Sequence, residues 1–204
     1  MERFSIYEKD NVLKTICEYL KTTNIKTQYF DSYFEFLDFF HSIKVFDYHF
    51  STIGAYLIYG WMPTIPNINI TQEAIDTLNK AKQEELLNYN DYLNLVKSVN
   101  NSIVGASKIL HFVNPREYPI FDSRIKNFFE KNFLIEDIYR KTYNDKKKEI
   151  NQYLIYKTLC EEIIEMDLFQ RIFDAVSNAY PITAKFTKMR MLENLFFSFD
   201  KNSK

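Results

Sequence analysis

Three glycines and five prolines serve the whole of this 204-residue chain. A strand-rich fold needs a turn every ~8–12 residues, and most of those turns draw on Gly or Pro. So few turn residues favour long helices. No stretch shows sustained strand alternation, and the expected fold class is all-α. The length suits one large domain or two small lobes sharing a core. The apolar share of 46% is ordinary for a globular chain, while the aromatic share of 17% is high.

The same composition narrows the setting. No apolar run is long enough to span a bilayer, and Met1–Tyr7 lacks the apolar centre of a signal peptide. Cys17 and Cys160 are isolated and form no metal-ligand spacing. His41, His49 and His111 show none either. The expectation is a cytoplasmic monomer with no membrane partner, no metal and no cofactor. A net charge of −1 argues against coating nucleic acid by bulk charge. Charge can still be local. Arg124, Lys126, Lys131, Arg140, Lys141, Lys146, Lys147 and Lys148 face only Glu130, Glu136, Asp137 and Asp145 across the same stretch. That stretch reads either as a solvated face or as a grip on one short segment of a polyanion.

Helices are expected from Asp10 or Asn11 to Leu20, over the aromatic-dense Tyr29–Ile43, and over Phe50–Tyr59 with Ser51 or Thr52 near its start. Gly60–Pro66 breaks the pattern, with Gly60 suited to a left-handed cap and Pro63 and Pro66 unable to continue a helix. Trp61, the one tryptophan, stands beside this break as a core anchor or as the wall of a pocket that stacks on a base. Thr71 caps a helix reaching Leu87. Another runs from Asp91 to about Val99. Asn100 and Asn101 tolerate left-handed backbone and suit a tight hairpin between two helices. Ile103–Val113 follows and stops at Asn114-Pro115. Later helices are expected over Asp122–Phe133, Glu149–Glu165, Leu168–Ala179 and Thr183 or Ala184 to Phe199. Tyr139–Lys148 reads as a loop or helix end, and Asp200–Lys204 as a frayed tail.

The chemistry concentrates between Val104 and Ile125. On the helix from Ile103, Val104, Lys108 and His111 share a face, with Phe112 beside them. A lysine among apolar neighbours either snorkels to the surface or is held in a pocket. In a partly dry pocket an amine is more readily freed of its proton and can act as a nucleophile. Asp122 precedes a helix and is a preferred N-cap. A carboxylate fixed by backbone N–H groups also suits stabilisation of a cationic transition state.

Ala106-Ser-Lys-Ile-Leu-His-Phe, Asn114-Pro and Tyr118-Pro-Ile-Phe-Asp-Ser-Arg resemble the end of the helix-hairpin-helix-Gly/Pro-Asp motif of the DNA glycosylase superfamily. More specifically, they resemble bacterial proteins with an 8-oxoguanine DNA glycosylase fold, and Trp61-Met-Pro is a weaker match to an N-terminal segment of those proteins. The resemblance covers about a tenth of the chain. It implies a two-lobed helical fold, here a single domain over 1–204 with lobes 1–88 plus the C-terminal helices, and 89–180. It also implies a DNA glycosylase, with or without lyase activity, that excises an oxidised or otherwise modified base. Asp122 matches the motif's Asp. Lys108 is then the nucleophile, a base-pocket residue, or neither, and water attacks where Lys108 does not. Trp61, His111 and Phe112 would meet the extruded base, and Ser102, Arg124, Lys126 and Lys131 would hold DNA phosphates.

Two departures stand out. The hairpin of the superfamily is Gly-rich, whereas Val99–Gly105 has one Gly. The superfamily's Lys falls near Ser102–Val104, a turn or more before Lys108. The competing expectation is an inactive glycosylase-fold module that binds DNA or protein, with a role in phage defence. A helical interaction protein without a nucleic-acid role is the third.

Overall fold

A computed structural model describes residues 4–25, 30–62, 64–132 and 145–201, and its fold is all-α. The helices are α1 (Ile6–Leu20), α2 (Phe30–Ser42), α3 (Tyr48–Trp61), α4 (Gln72–Lys82), α5 (Tyr89–Ser98), α6 (Ile103–Val113), α7 (Ser123–Asn132), α8 (Lys146–Ile164), α9 (Asp167–Ala179) and α10 (Lys188–Lys201). A 3-10 turn, Pro181–Lys185, joins the last two. Among the described residues there is no strand, only an isolated antiparallel bridge between Ile68 and Val99. Among them, too, no helix is long and apolar enough to cross a membrane.

The chain divides into two compact units. One comprises Tyr29–Ile120 and Asn144–Ile150, the other Met1–Gln28, Phe121–Tyr143 and Asn151–Lys204. The division falls beside Tyr29 and Phe121, whereas the sequence reading put a lobe boundary at residue 88.

In the Tyr29–Ile120 unit, α6 is the central helix and packs on α2, α3, α4 and α5. Its sequence is apolar on nearly every side, which suits a helix with neighbours all round. Only Val104 and Lys108 of its residues escape full burial. His111 therefore does not share the open face of Lys108, as the spacing had suggested, but turns into the core. Phe40, Ile58, Leu78, Leu95 and Phe112 complete that core. Fully burying such a side chain stabilises the unit by about 1.5–3 kcal/mol.

The second unit pairs α7 with α10 and sets α1 against α9 and α10. Aromatic rings fill it: Phe128 and Phe129 lie 4.7 and 5.2 Å from Phe196, and Phe121 stacks on Tyr156 at 5.2 Å. Its buried charges are paired, Lys9 with Glu162 at 3.3 Å and Arg190 with Glu193. A buried charge left without a partner would cost several kcal/mol, on the order of 3–5.

Several helix limits differ from the sequence reading, each for a local reason. Ser5 begins α1, because Ser5 and Glu8 form a capping box. Asp47, not Ser51 or Thr52, caps α3 by accepting from Phe50 N at 2.8 Å. Gly60 stays helical, and no glycine takes a positive φ. The chain leaves α3 instead through an extended Met62. Thr71 caps α4 as expected, but α4 ends at Lys82, and Glu84 takes φ 61° without a glycine. Asn88 caps α5, and Asp91 closes the box from the third position. Pro181 starts a 3-10 turn rather than only separating two helices. The expectations for Pro63, Phe133, Glu136, Asp137, Tyr139, Arg140, Lys141 and the tail after Lys201 lie outside the described residues.

Candidate functional site

The α5–α6 hairpin is built from two successive left-handed asparagines, Asn100 (φ 58°) and Asn101 (φ 50°). Asn is the side chain most tolerant of that backbone after Gly, which is how the chain turns here without one. The hairpin is strapped to 65–69. Asn100 N donates to Asn67 O at 3.0 Å, and Asn100 Oδ1 accepts from Asn67 N at 2.5 Å. Asn100 Nδ2 donates to Ile65 O at 3.3 Å, and Asn69 N to Ser98 O at 2.9 Å. Ser102 then caps α6, accepting from Gly105 N at 3.2 Å. That places Ser102 at the head of α6 with its hydroxyl engaged.

The single glycine of this hairpin has a steric cause. A Cβ on Gly105 would lie 2.4 Å from the Tyr59 hydroxyl oxygen. Tyr59 donates to Val99 O at 3.1 Å and so ties α3 to the hairpin. Burial pushes the Tyr59 phenol above its ordinary value, while a hydrogen bond with Ser102 pulls the other way.

Lys108 and Trp61 come together. The ammonium of Lys108 stands over the Trp61 ring, 5.5 Å from its centre. Both are half-buried. Trp61 meets Phe112 edge-on at 5.5 Å and Phe36 at 6.1 Å. Phe112 is 0% exposed and packs on Tyr33, Phe36 and Phe40. Of the three residues grouped as a base pocket, only Trp61 has a surface to offer, and Phe112 is its backing.

His111 is also 0% exposed. Nδ1 lies 2.7 Å from Tyr118 O, and Nε2 lies 3.1 Å from the Tyr33 hydroxyl. A carbonyl only accepts, so Nδ1 carries the proton, and in the neutral ring Nε2 accepts from Tyr33. Both nitrogens serve the core, and the direct contact with a base expected of His111 is not available to it. Tyr33 and Phe36 entered the sequence reading only as part of an aromatic-dense helix, and Tyr59 only as a helix end. Nothing local marks them for the site, and the partners of Tyr33 and Tyr59 lie 78 and 40 residues away. Tyr118 was legible as part of the Pro-bracketed segment.

In the second unit, Asp122 caps α7. Its Oδ1 accepts from Arg124 N at 3.0 Å and Ile125 N at 3.2 Å. The carboxylate is half-buried and fixed in place. Arg124 lays its guanidinium on the Phe197 ring at 4.5 Å, and Lys126 stands 5.1 Å from the Phe121 ring centre. Both are half-buried, while Lys131 is exposed. Behind Asp122, Tyr156 and Cys160 are fully buried. Burial holds both well above their ordinary ranges, and the charge of Glu193 adds to it in each. Asp122 contributes in the same sense at Tyr156.

Among the described residues, no cluster of three or more His, Cys, Asp or Glu could hold a metal ion. No protein-family model, characterised protein or solved structure matches the chain.

Proposed function

We propose that this chain is a DNA N-glycosylase that removes a modified base of the 8-oxoguanine kind, with Asp122 and Lys108 as its reacting groups. One observation carries the reading. A helix, a two-asparagine hairpin, a lysine-bearing helix and a Pro-bracketed loop run into an aspartate clamped by two backbone N–H groups. That order of parts is the motif the sequence resembles.

The reaction needs its nucleotide out of the stack, since the glycosidic bond is otherwise out of reach. As the bond between C1′ and the base breaks, the base leaves with the electron pair and takes up a proton. Positive charge then grows on the sugar. Asp122 is ready for it, because its carboxylate is already oriented by Arg124 N and Ile125 N and needs no reorganisation. The Lys108 amine attacks C1′ and forms the new C–N bond. Ring opening gives a Schiff base, and loss of a proton from C2′ expels the 3′-phosphate. Where water attacks instead, the base is released and the strand stays whole. Trp61 supplies a ring face, and Lys126, Arg124 and Lys131 supply cations for phosphates.

A second reading has its own observation. The Asn100 N–H is spent on Asn67 O, and Lys108 lies over the Trp61 ring. A cation–π contact is made by the ammonium, not by the free amine a nucleophile needs. Both features favour a DNA- or protein-binding module that does not excise.

Borohydride trapping on duplex DNA carrying 8-oxoguanine or an abasic site separates these readings. The expected result is a covalent adduct that Lys108→Ala abolishes. Base release without an adduct assigns the attack to water. Neither release nor adduct across a panel of modified duplexes removes the enzyme reading and leaves the binding module.

A further inference from the structure

The last turn of α3 carries a glycine that nothing among the described residues requires. Gly60 is exposed, its φ is not positive, and a Cβ built on it would meet no atom within 4 Å. Gly is the poorest helix former after Pro. The other two glycines have a steric cause, since a Cβ would come 3.0 Å from the Phe40 ring at Gly54 and 2.4 Å from the Tyr59 hydroxyl at Gly105. At Gly60 the missing Cβ leaves empty space. That space belongs to a cavity of about 430 Å³ lined by Tyr56, Tyr59, Gly60, Thr64, Ile65 and Pro66. Its volume falls within the ~300–1,000 Å³ of small-molecule sites.

Among the described residues, no charged side chain lines the cavity. Its surface is bare backbone at Gly60 between the Tyr56 ring and the Ile65–Pro66 segment. Tyr56 is 52% exposed and offers its ring. Tyr59 is buried and held by its bond to Val99 O, so that wall is rigid. Such a slot takes a flat, uncharged ring and rejects a charged or bulky group.

We propose that this cavity binds one unpaired nucleobase of a DNA strand, stacked on Tyr56 and lying across the backbone at Gly60. The choice of DNA rests on the reading given above. The rim favours a base over an aromatic side chain of another protein. Beyond the Ile65–Pro66 wall the chain runs directly into Asn67 and Asn69, both exposed, and Asn100 Nδ2 donates to Ile65 O, with the exposed Asn101 next to it in the chain. Uncharged amides both donate and accept, which suits base edges and the phosphates beside them. Thr64 adds an exposed hydroxyl.

The test uses a short single-stranded deoxyoligonucleotide carrying 2-aminopurine, titrated with the full chain. Stacking on Tyr56 quenches the probe. Tyr56→Ala and Gly60→Leu are expected to weaken binding about 10-fold, the scale of one lost base–aromatic stack. Gly60→Ala is expected to weaken binding while leaving the unfolding midpoint unchanged or higher, since the helix gains and no atom is met. Wild-type protein that leaves the probe unquenched, or variants that bind as wild type does, would overturn the proposal. So would a tryptophan-containing peptide that binds more tightly than the oligonucleotide, which would assign the cavity to a protein partner. Borohydride trapping by the same variants keeps the two readings apart. Quenching lost in Gly60→Leu with no trapping by any protein supports the cavity and sinks the glycosylase. Trapping with unaltered probe binding in the variants does the reverse.

Discussion

Lys108 reaches the one described tryptophan of the chain, and its ammonium stands 5.5 Å from the centre of the Trp61 ring. The two residues lie 47 positions apart, one on the last residue of α3 and the other in the middle of α6. Their contact gives the open face of α6 a defined chemical character, a cation resting on an aromatic surface.

The energy of that contact is measurable. Trp61→Leu also loses edge contacts with Phe36 and Phe112, and is expected to cost about 1–2 kcal/mol. Lys108→Met keeps the apolar stem and should cost less than about 1 kcal/mol. In a double-mutant cycle followed by urea unfolding, the coupling should be about 0.5–1 kcal/mol. A coupling near zero would mean that the two side chains merely lie near each other.

Gly105 makes a sharper prediction, because its neighbour is known. Gly105→Ala drives a methyl into the Tyr59 hydroxyl and should destabilise the protein by about 1–3 kcal/mol, despite the gain in helix propensity. Tyr59→Phe removes the clashing oxygen, though the ring carbon behind it is still only 3.1 Å away. Combining the two should recover part of the loss in thermal unfolding. If Gly105→Ala alone raises the midpoint, the close approach of Tyr59 is not a real constraint.

How far the sequence could be read depended on how local the cause was. Ile103–Val113 has the limits expected of it because both signals are adjacent, Ser102 before it and Asn114-Pro115 after it. Asn100 and Asn101 took their left-handed turn for the same reason. Asp122 and Thr71 cap the helices that follow them. Ser5 and Glu8 carry the spacing of a capping box and were legible but passed over. What depended on distant neighbours was hidden. Gly60 looked like a left-handed stop, yet the chain leaves α3 two residues later, at an extended Met62. His111 was placed beside Lys108 by helical spacing alone. Tyr33, far away in sequence, decides that it faces inward.

The buried thiol and phenol behind Asp122 set an alkaline limit. Burial is the main cause that raises Cys160 and Tyr156 in the folded protein. The unfolded chain releases those protons near their ordinary values, about 8.5 for a thiol and 10 for a phenol. Above each of those values the unfolded state binds fewer protons than the folded one, so stability falls as pH rises. The contribution is fully present below pH ~8.5 and is lost as pH climbs through the raised folded values. Urea unfolding should show a plateau near neutrality and a decline above it, less steep in Cys160→Ala and in Tyr156→Phe. Thiol labelling offers a parallel measurement. Cys17, half-buried, should react first, and Cys160 only as the protein opens. Equal rates would place Cys160 nearer solvent than its burial allows.

Asp122 allows cap and chemistry to be separated by one pair of variants. As an N-cap it needs only an acceptor oxygen, and Asn supplies one at the same reach. Asp122→Asn should therefore stay within a few tenths of a kcal/mol of wild type, whereas Asp122→Ala leaves Arg124 N and Ile125 N without their partner and should cost about 0.5–2 kcal/mol. Charge is another matter. If the carboxylate stabilises a cationic sugar, its neutral isostere should lose on the order of 10²–10³-fold in the rate of base release while folding normally. Single-turnover excision and urea unfolding of the same two proteins give the answer. Equal excision by Asp122→Asn and wild type would make Asp122 a helix cap and nothing more. An Asn variant that is stable but inactive would tie the reaction to the charge rather than to the fold.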